Sequence, residues 1–297
     1  MCGIVGLLVR KPELAETLGR LVVPMFHCMA ERGPDSAGIA VFGERRAGGL
    51  RASLYAKTPG FDFAALEGRL RAEFGATLAL EAIDNHAIAS FDAPSSRFKW
   101  YLAENEPDLT LLSIGESIEV WKDEGNPRRI ATKYGFSSLK GTHAIGHTRM
   151  ATESRVSPAH AHPYTAGEDF CLVHNGSLSN PYMLRRKLEA NGIHFETDND
   201  TEAACRYLEW RISQGDDLEG AIERAFGELD GFYTLLIGTK GRMTLVRDPV
   251  ACKPAVVAET DDYVAVASEF RSLAHLPNID GARIFEPLPE RIYSWQL

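Results

Sequence analysis

Cys2 places a thiol directly behind the initiator methionine, and its side chain is small enough for that methionine to be removed. Removal would leave a thiol and a free α-amine on one residue. A free thiol titrates near about 8.5 and an α-amine near about 7.7–8.0, so close to neutral pH the amine can take the thiol's proton. No histidine is then needed as the base. Gly3 allows a substrate close to the backbone, and Ile4 to Val9 reads as a buried strand that would anchor the nucleophile. Taken alone, these nine residues are better explained as a core strand with a chance cysteine, and a catalytic reading needs support from elsewhere in the chain.

Five further stretches carry polar residues that core packing does not require. They are Arg32-Gly33-Pro34-Asp35-Ser36-Ala37-Gly38, Gly146-His147-Thr148-Arg149-Met150-Ala151-Thr152, Ala161-His162-Pro163, His174-Asn175-Gly176 and Asp200-Thr201-Glu202. Each has a plain alternative. Asp200 or Thr201 reads as a helix cap, Asn175-Gly176 as a hairpin turn, Arg149 as a surface cation and Arg32-Gly-Pro-Asp as a helix stop. The histidines at 143, 147, 160 and 162 raise a metal reading, but no acidic or cysteine residue stands at ligand spacing, so no metal is expected. Cys28, Cys171, Cys205 and Cys252 sit among apolar neighbours, far apart and without a Cys-x-x-Cys pair. They read as small core hydrophobes rather than disulfide or cluster ligands.

The elements that must position these residues follow from pattern. Pro12 to Arg32 is expected to be helical, with Pro24 kinking it or starting a second helix. Helices are expected at 64–74, at Asn180 to Asn191 with Asn180 as cap and Pro181 first, at 201–214 and at 218–228. Strands are expected at 39–42, near 86–91, 98–102, 109–114 and 118–122, at 142–149, at 170–173 ending in His174-Asn175-Gly176, and at 233–237, 243–247, 255–258 and 263–267. Helices in the middle flanked by strand runs, without regular β-α alternation, point to an α+β layered domain. The whole of 1–297 reads as one domain, with an elaborating insert at about 44–141 that carries no catalytic pattern.

The order of the motifs resembles the class II glutamine amidotransferases, a family of N-terminal-nucleophile hydrolases. Its pattern runs Cys-Gly-Ile-x-Gly, Arg-Gly-x-Asp-Ser-x-Gly, Gly-His-x-Arg-x-Ala-Thr, Ala-His-Pro, His-Asn-Gly and Asp-Thr/Ser-Glu. Arg247-Asp248-Pro249, Lys253-Pro254 and Ala267-Ser268-Glu269 look like its closing hairpin. The resemblance implies a four-layer αββα sandwich of antiparallel sheets. It implies Cys2 as nucleophile, and Asn175 with the Gly176 N–H as oxyanion hole. It further implies Arg149 on the substrate α-carboxylate, Asp200 on the α-ammonium, Thr152 supporting the head group, His162 and His174 ordering the substrate site, and Arg32 ordering the N-terminal residue. Two positions depart from the pattern. Glu153 follows Thr152 where many members carry a histidine, and Met150 stands where an aromatic is common; both flank the head-group site and bear on specificity.

A net charge of −9, from 32 Lys+Arg against 41 Asp+Glu, argues against nucleic acid or an anionic membrane as partner. No run approaches the ~18 apolar residues of a membrane span, and no secretory signal is evident, so a cytoplasmic location is expected. No Gly-rich phosphate loop or synthase region accompanies the amidotransferase pattern. The expected partners are therefore L-glutamine or L-glutamate and a separate synthase chain in a hetero-oligomer. The chain looks most like the stand-alone amidotransferase subunit of glutamate-synthase-like complexes, that of N-methylglutamate synthase among them. That resemblance implies no cofactor in this chain, with FMN, iron–sulfur and NAD(P) chemistry only in partner subunits. Two alternatives stand beside it: a catalytically silent subunit that keeps the glutamate pocket for assembly or gating, and an amidase for another amide.

Overall fold

The run Gly3–Val9 is buried on both faces, and the reason sets the architecture. Ile4 and Leu8 point into one apolar core, while Val5, Leu7 and Val9 point into another. A strand apolar on both faces must lie in the middle of layers. The computed structural model describes residues 2–43, 49–151 and 155–297.

In chain order the strands are β1 (Gly3–Val9), β2 (Ser36–Phe42), β3 (Leu50–Ala56), β4 (Ala79–Ile83), β5 (His86–Phe91), β6 (Leu109–Gly115), β7 (Ile118–Glu124) and β8 (His143–Arg149). They continue with β9 (Tyr164–Thr165), β10 (Phe170–Leu178), β11 (Gly231–Thr239), β12 (Arg242–Arg247), β13 (Val256–Glu259), β14 (Tyr263–Ala267), β15 (Arg283–Phe285) and β16 (Tyr293–Gln296). The helices are α1 (Pro12–Ala15), α2 (Leu18–Cys28), α3 (Phe63–Phe74), α4 (Ser95–Asn105), α5 (Pro127–Lys133), α6 (Pro181–Glu189), α7 (Asp200–Ser213) and α8 (Leu218–Phe226).

Seven strands form one antiparallel sheet in the order β15-β13-β14-β1-β8-β2-β7, and five form a second in the order β16-β12-β11-β10-β9. Ile4, Leu8, Phe42 and Ile145 of the first sheet meet Val173, Leu236, Met243 and Leu245 of the second between the layers. The outer face of the first sheet is covered by α2 and α5 through Val22, Met25, Phe26 and Ile130. The outer face of the second is covered by α6, α7 and α8 through Leu188, Leu208 and Ile222. This is the αββα sandwich of antiparallel sheets that the motif order implied. Pro24 lies inside α2, which begins anew at Leu18 after the short α1.

Residues 50–115 build a third sheet, β4-β5-β3-β6, which closes its own core with α3 and α4. The chain then returns to the sandwich through β7, the edge strand of the first sheet, and α5. One expectation fails here, because 98–102 lies within α4 rather than in a strand. Phe98, Trp100 and Leu102 alternate like a strand, but Trp100 is 63% exposed while Phe98 and Leu102 are buried. Residues at i and i+4 also share one helix face, and that reading wins. The ring of Phe98 stacks on Phe91, centroids 4.0 Å apart.

Candidate active site

Four elements end at one place. Cys2 leads into β1, whose Gly3 pairs with Thr148 near the end of β8, so antiparallel register sets Arg149 beside the cysteine. β10 brings His174, Asn175 and Gly176 from the second sheet, and α7 begins there with Asp200 and Thr201. Asn175 stands beside Cys2, behind a pocket that Cys2, Arg149, His174, Gly176, Asp200 and Thr201 line with His162, Tyr182 and Lys253; its volume is about 340 Å³. That is the small end of the ~300–1,000 Å³ typical of ligand pockets, suited to an amino acid more than to a nucleotide.

The backbone of Cys2 is held from several sides. Arg32 Nε donates to the Cys2 carbonyl at 3.0 Å, and Arg32 also pairs with Glu269. Burial pushes the Glu269 carboxyl up, but the hydrogen bonds and charges of Arg32 and Arg271 outweigh it and hold the group below its ordinary value. On the next residue but one, Ile4 N donates to Ser268 Oγ at 2.9 Å and Ser268 N donates to Ile4 O at 3.0 Å. The sulfur itself is lightly held. Met150 N approaches Cys2 Sγ at 3.4 Å, and the thiol faces Met150 O at 3.7 Å.

The Asn175 amide is oriented by its neighbours. Its Oδ1 accepts from His147 Nε2 at 3.1 Å, while Nδ2 donates to Ser268 Oγ at 3.0 Å and weakly to Cys2 O at 3.4 Å. Burial lowers the His147 imidazole to about 3, and it lowers His162 well below the ordinary histidine value. Both rings are therefore neutral and stack 4.0 Å apart. His162 Nδ1 accepts from His174 N at 3.3 Å, which leaves Nε2 to donate toward Thr201 Oγ1, also at 3.3 Å. Gly176 has φ +144°, and a Cβ there would meet Phe232 O at 1.8 Å, so only glycine fits. Asn175-Gly176 is not the hairpin turn its residue types suggested, nor the end of the strand, because β10 runs on to Leu178.

Asp200 is not the cap of α7. Asn199 is, its side chain accepting from Thr201 N at 2.9 Å. The Asp200 carboxylate is thus released to accept from Leu178 N at 2.9 Å and to face His174 Nδ1 at 3.7 Å. Burial pushes this carboxyl up, but His174, the Leu178 N–H and the Thr201 hydroxyl outweigh it and bring it down to about 2. An ionised carboxylate offers about four lone-pair sites, so acceptor capacity remains for a cation in the pocket. Arg149 is 5% exposed and donates through Nη1 to the Arg155 carbonyl at 3.0 Å. Thr152 and Glu153, both singled out in the sequence, lie outside the described residues, as does Met1.

Several contributors were not legible as site residues. Asp35 pins the turn after β8, its carboxylate accepting from Ala151 N at 2.8 Å. Ser268 joins Asn175 to β1. Lys253 reaches the pocket on a loop fastened by Arg247 to the carbonyls of Ala251, Lys253 and Pro287, and by Asp248 to Val250 N and Ala251 N. The Arg-Asp-Pro and Ser-Glu stretches pointed to this loop, but not to the lysine's place in the pocket.

The comparisons with known proteins bear on this geometry. The glutamine amidotransferase domain family matches residues 147–275, which include Arg149, Asn175 and Asp200. The glutamine amidotransferase-like protein GlxB of Rhizobium meliloti (strain 1021) is 46% identical over 296 residues, covering 99% of this chain and 98% of its own. The chain belongs to the class II glutamine amidotransferases. A putative glutamine amidotransferase from Methanothermobacter thermautotrophicus (strain Delta H) is 33% identical over 305 residues, 99% of this chain and 100% of its own. In fold, the glutamine phosphoribosylpyrophosphate amidotransferase of B. subtilis matches with a TM-score of 0.63 at 20% identity, over 99% of this chain and 49% of that one.

Family membership and sandwich agree with the sequence reading, and the neutral histidines add a consequence. His86 is lowered to about 4 by burial, and His143 and His147 to about 3, while unfolded histidines titrate near about 6.5. Below that value the unfolded chain binds protons that the folded chain refuses, so stability is fully present above pH ~6.5 and falls as pH drops toward the folded values. Each such histidine contributes a slope of about 1.4 kcal/mol per pH unit. Chemical denaturation midpoints should fall steeply from pH ~6.5 to ~5. A midpoint unchanged across that range would contradict buried neutral rings. Among the described residues no helix is long and apolar enough to cross a membrane.

Proposed function

We propose that this amidotransferase hydrolyses the side-chain amide of L-glutamine to L-glutamate and ammonia, with Cys2 as nucleophile after removal of Met1. The observation that carries the reading is the convergence of Cys2 Sγ, Arg149 and Asp200 on one pocket, with the Asn175 amide held beside Cys2. The guanidinium of Arg149 suits the α-carboxylate and the Asp200 carboxylate the α-ammonium, which leaves the side-chain amide to extend toward Cys2.

The α-amine of Cys2 takes the thiol proton, and sulfur attacks the amide carbon. Asn175 Nδ2 exchanges its weak 3.4 Å bond to the Cys2 carbonyl for the developing oxyanion, which the Gly176 N–H also meets. The C–N bond breaks as the ammonium returns the proton to the leaving nitrogen, releasing ammonia and a thioester. Water then attacks the thioester, the amine takes its proton, and glutamate leaves with the thiol restored. His147 stays neutral near neutral pH and, donating its Nε2–H to Asn175 Oδ1, acts as a positioning residue for that amide.

Arg149→Gln and Asp200→Asn should each raise the KM for glutamine by about 10–100-fold, with a much smaller change in kcat. Steady-state kinetics decides this. An unchanged KM in both variants would favour an amidase for another amide. The proposal as a whole is tested by intact mass and a glutaminase assay on one preparation. A mass lacking one methionine together with ammonia release from glutamine supports it. A retained Met1 with no turnover, even with partner chains present, would point to the catalytically silent alternative.

The ammonia acceptor is proposed to be a separate synthase of glutamate-synthase type, N-methylglutamate synthase among them, which would hold the flavin, iron–sulfur and nicotinamide groups. Apolar residues at the pocket rim support a docked partner there, with Met150 42% and Tyr182 75% exposed. Purification from the native source should yield a hetero-oligomer in which another polypeptide carries redox cofactors. Migration of this chain alone would count against the assignment.

A further inference from the structure

Among the described residues no carboxylate pairs with Lys122, although it lies buried on β7 with 5% of its surface exposed. Its ammonium donates instead to three backbone carbonyls, those of Ala161 at 2.8 Å, Pro163 at 3.2 Å and Ala159 at 3.5 Å. The Tyr164 ring covers it, its centre 4.9 Å from Nζ. An ammonium has three N–H donors and no acceptor, so three carbonyls from one short stretch of chain use it completely. A buried cation is costly, and an apolar side chain of similar size would fill the same space without that cost. What the lysine adds is a hold on residues 159–163.

The neighbouring strand leaves room for that stretch. Gly38 of β2 pairs with Lys122, and a Cβ at Gly38 would lie 2.3 Å from His162 O and 2.4 Å from Lys122 Cβ. Glycine there lets the backbone around His162 lie directly on the sheet, within reach of the lysine.

The residue held in this way belongs to the Cys2 pocket, which Lys122 itself does not line. The His162 ring stacks on His147 at 4.0 Å, and its Nδ1 accepts from His174 N at 3.3 Å. His147 Nε2 in turn donates to Asn175 Oδ1 at 3.1 Å. Direct contacts therefore run from Lys122 through the carbonyls of Ala161 and Pro163, His162 and His147 to the Asn175 amide.

We infer that Lys122 is a positioning residue for amide hydrolysis: its grip on residues 159–163 fixes the His162–His147 stack, and through that stack the Asn175 amide that meets the oxyanion. The effect on turnover rests on the function proposed above; the grip on His162 does not.

The charge of Lys122 makes the grip sensitive to pH. Facing it are Glu196 ahead of α7, Glu202, Cys205 and Arg206 on α7, His162 in the gripped stretch and Tyr164 on β9. Burial lowers Lys122 to about 8, against the pull of Glu196, Glu202 and Cys205. Arg206 lies 3.6 Å from Glu202 and 3.7 Å from Glu196, which offsets part of that pull. Once neutral, the amine keeps two N–H donors and turns a lone pair toward a carbonyl, so one of the three bonds is lost.

Lys122→Met keeps the apolar stem and removes all three donors. In folded protein it should lower kcat for glutamine by about 10–100-fold with KM held within about threefold, because a misaimed oxyanion donor weakens the transition state and not the ground state. In the wild type kcat should fall above pH ~8, and in Lys122→Met that alkaline fall should be absent. In protein carrying ¹³C-histidine, the His162 ring resonance should move with a midpoint near pH ~8 in the wild type and stay fixed in the variant. Burial lowers His162 well below the ordinary histidine value, so the ring does not itself titrate there. A folded variant with kcat within about twofold of wild type overturns the inference, and so does one that raises KM and keeps kcat. Should Lys122→Met not fold, the wild-type resonance decides alone: movement near pH ~8 supports the grip and an unmoved resonance overturns it. Wild-type protein that turns over no glutamine while the resonance moves as described refutes the proposed function and leaves the grip on His162 standing.

Discussion

Cys2→Ala should abolish glutamine hydrolysis, lowering kcat by ~10⁴-fold or more, as loss of a sole nucleophile does elsewhere. The fold should survive the change. Among the described residues the sulfur makes the 3.4 and 3.7 Å contacts with the Met150 backbone, whereas the bonds that secure this residue run to its carbonyl, from Arg32 and Asn175. Those bonds do not depend on the side chain. Unfolding temperatures should therefore match the wild type within a degree or two, so lost activity can be read as lost chemistry. Residual turnover above a tenth of wild type would mean that another group attacks the amide.

Asn175→Ala should lower kcat by about 10²–10³-fold with little change in KM, because the lost donor acts on charge that develops only in the transition state. The groups that orient the amide keep other partners. His147 Nε2 retains the His174 carbonyl at 3.1 Å, and Ser268 Oγ still accepts from Ile4 N at 2.9 Å. The stability cost is consequently that of about one ordinary hydrogen bond and a small cavity, on the order of 1–2 kcal/mol. Steady-state kinetics on this variant separates the outcomes. A loss in kcat of about fivefold or less would remove Asn175 from the oxyanion hole.

The site was more legible in the sequence than the scaffold that holds it. Cys2, Arg32, Arg149, His162, His174, Asn175, Gly176 and Asp200 stood out because their types exceed what a core needs, and the fold gathers them in one region. What the residue types left ambiguous was settled by neighbours. Taken alone, Asp200 read first as a helix cap, the position that Asn199 holds. Asn175-Gly176 read as a turn, but β11 pairs it through to Leu178. Ser268 and Asp35 act through hydrogen bonds to residues far away in the chain, and nothing in local pattern reports such a partner. The insert was the least legible part. Neither β3 nor β4 was anticipated as a strand, and the apolar alternation at Phe98, Trp100 and Leu102 fitted two periods at once.

The central claim is that one atom, the sulfur of Cys2, attacks the glutamine amide from a processed terminus. The most direct measurement treats the protein with a diazoketone analogue of glutamine, which alkylates an attacking thiol, and maps the product by peptide mass spectrometry. The account predicts a single adduct on an N-terminal peptide that begins with Cys2, blocked by excess glutamine and absent in Cys2→Ala. An adduct on Cys28 or Cys252, or glutamine turnover that persists with Cys2 unlabelled, would contradict it.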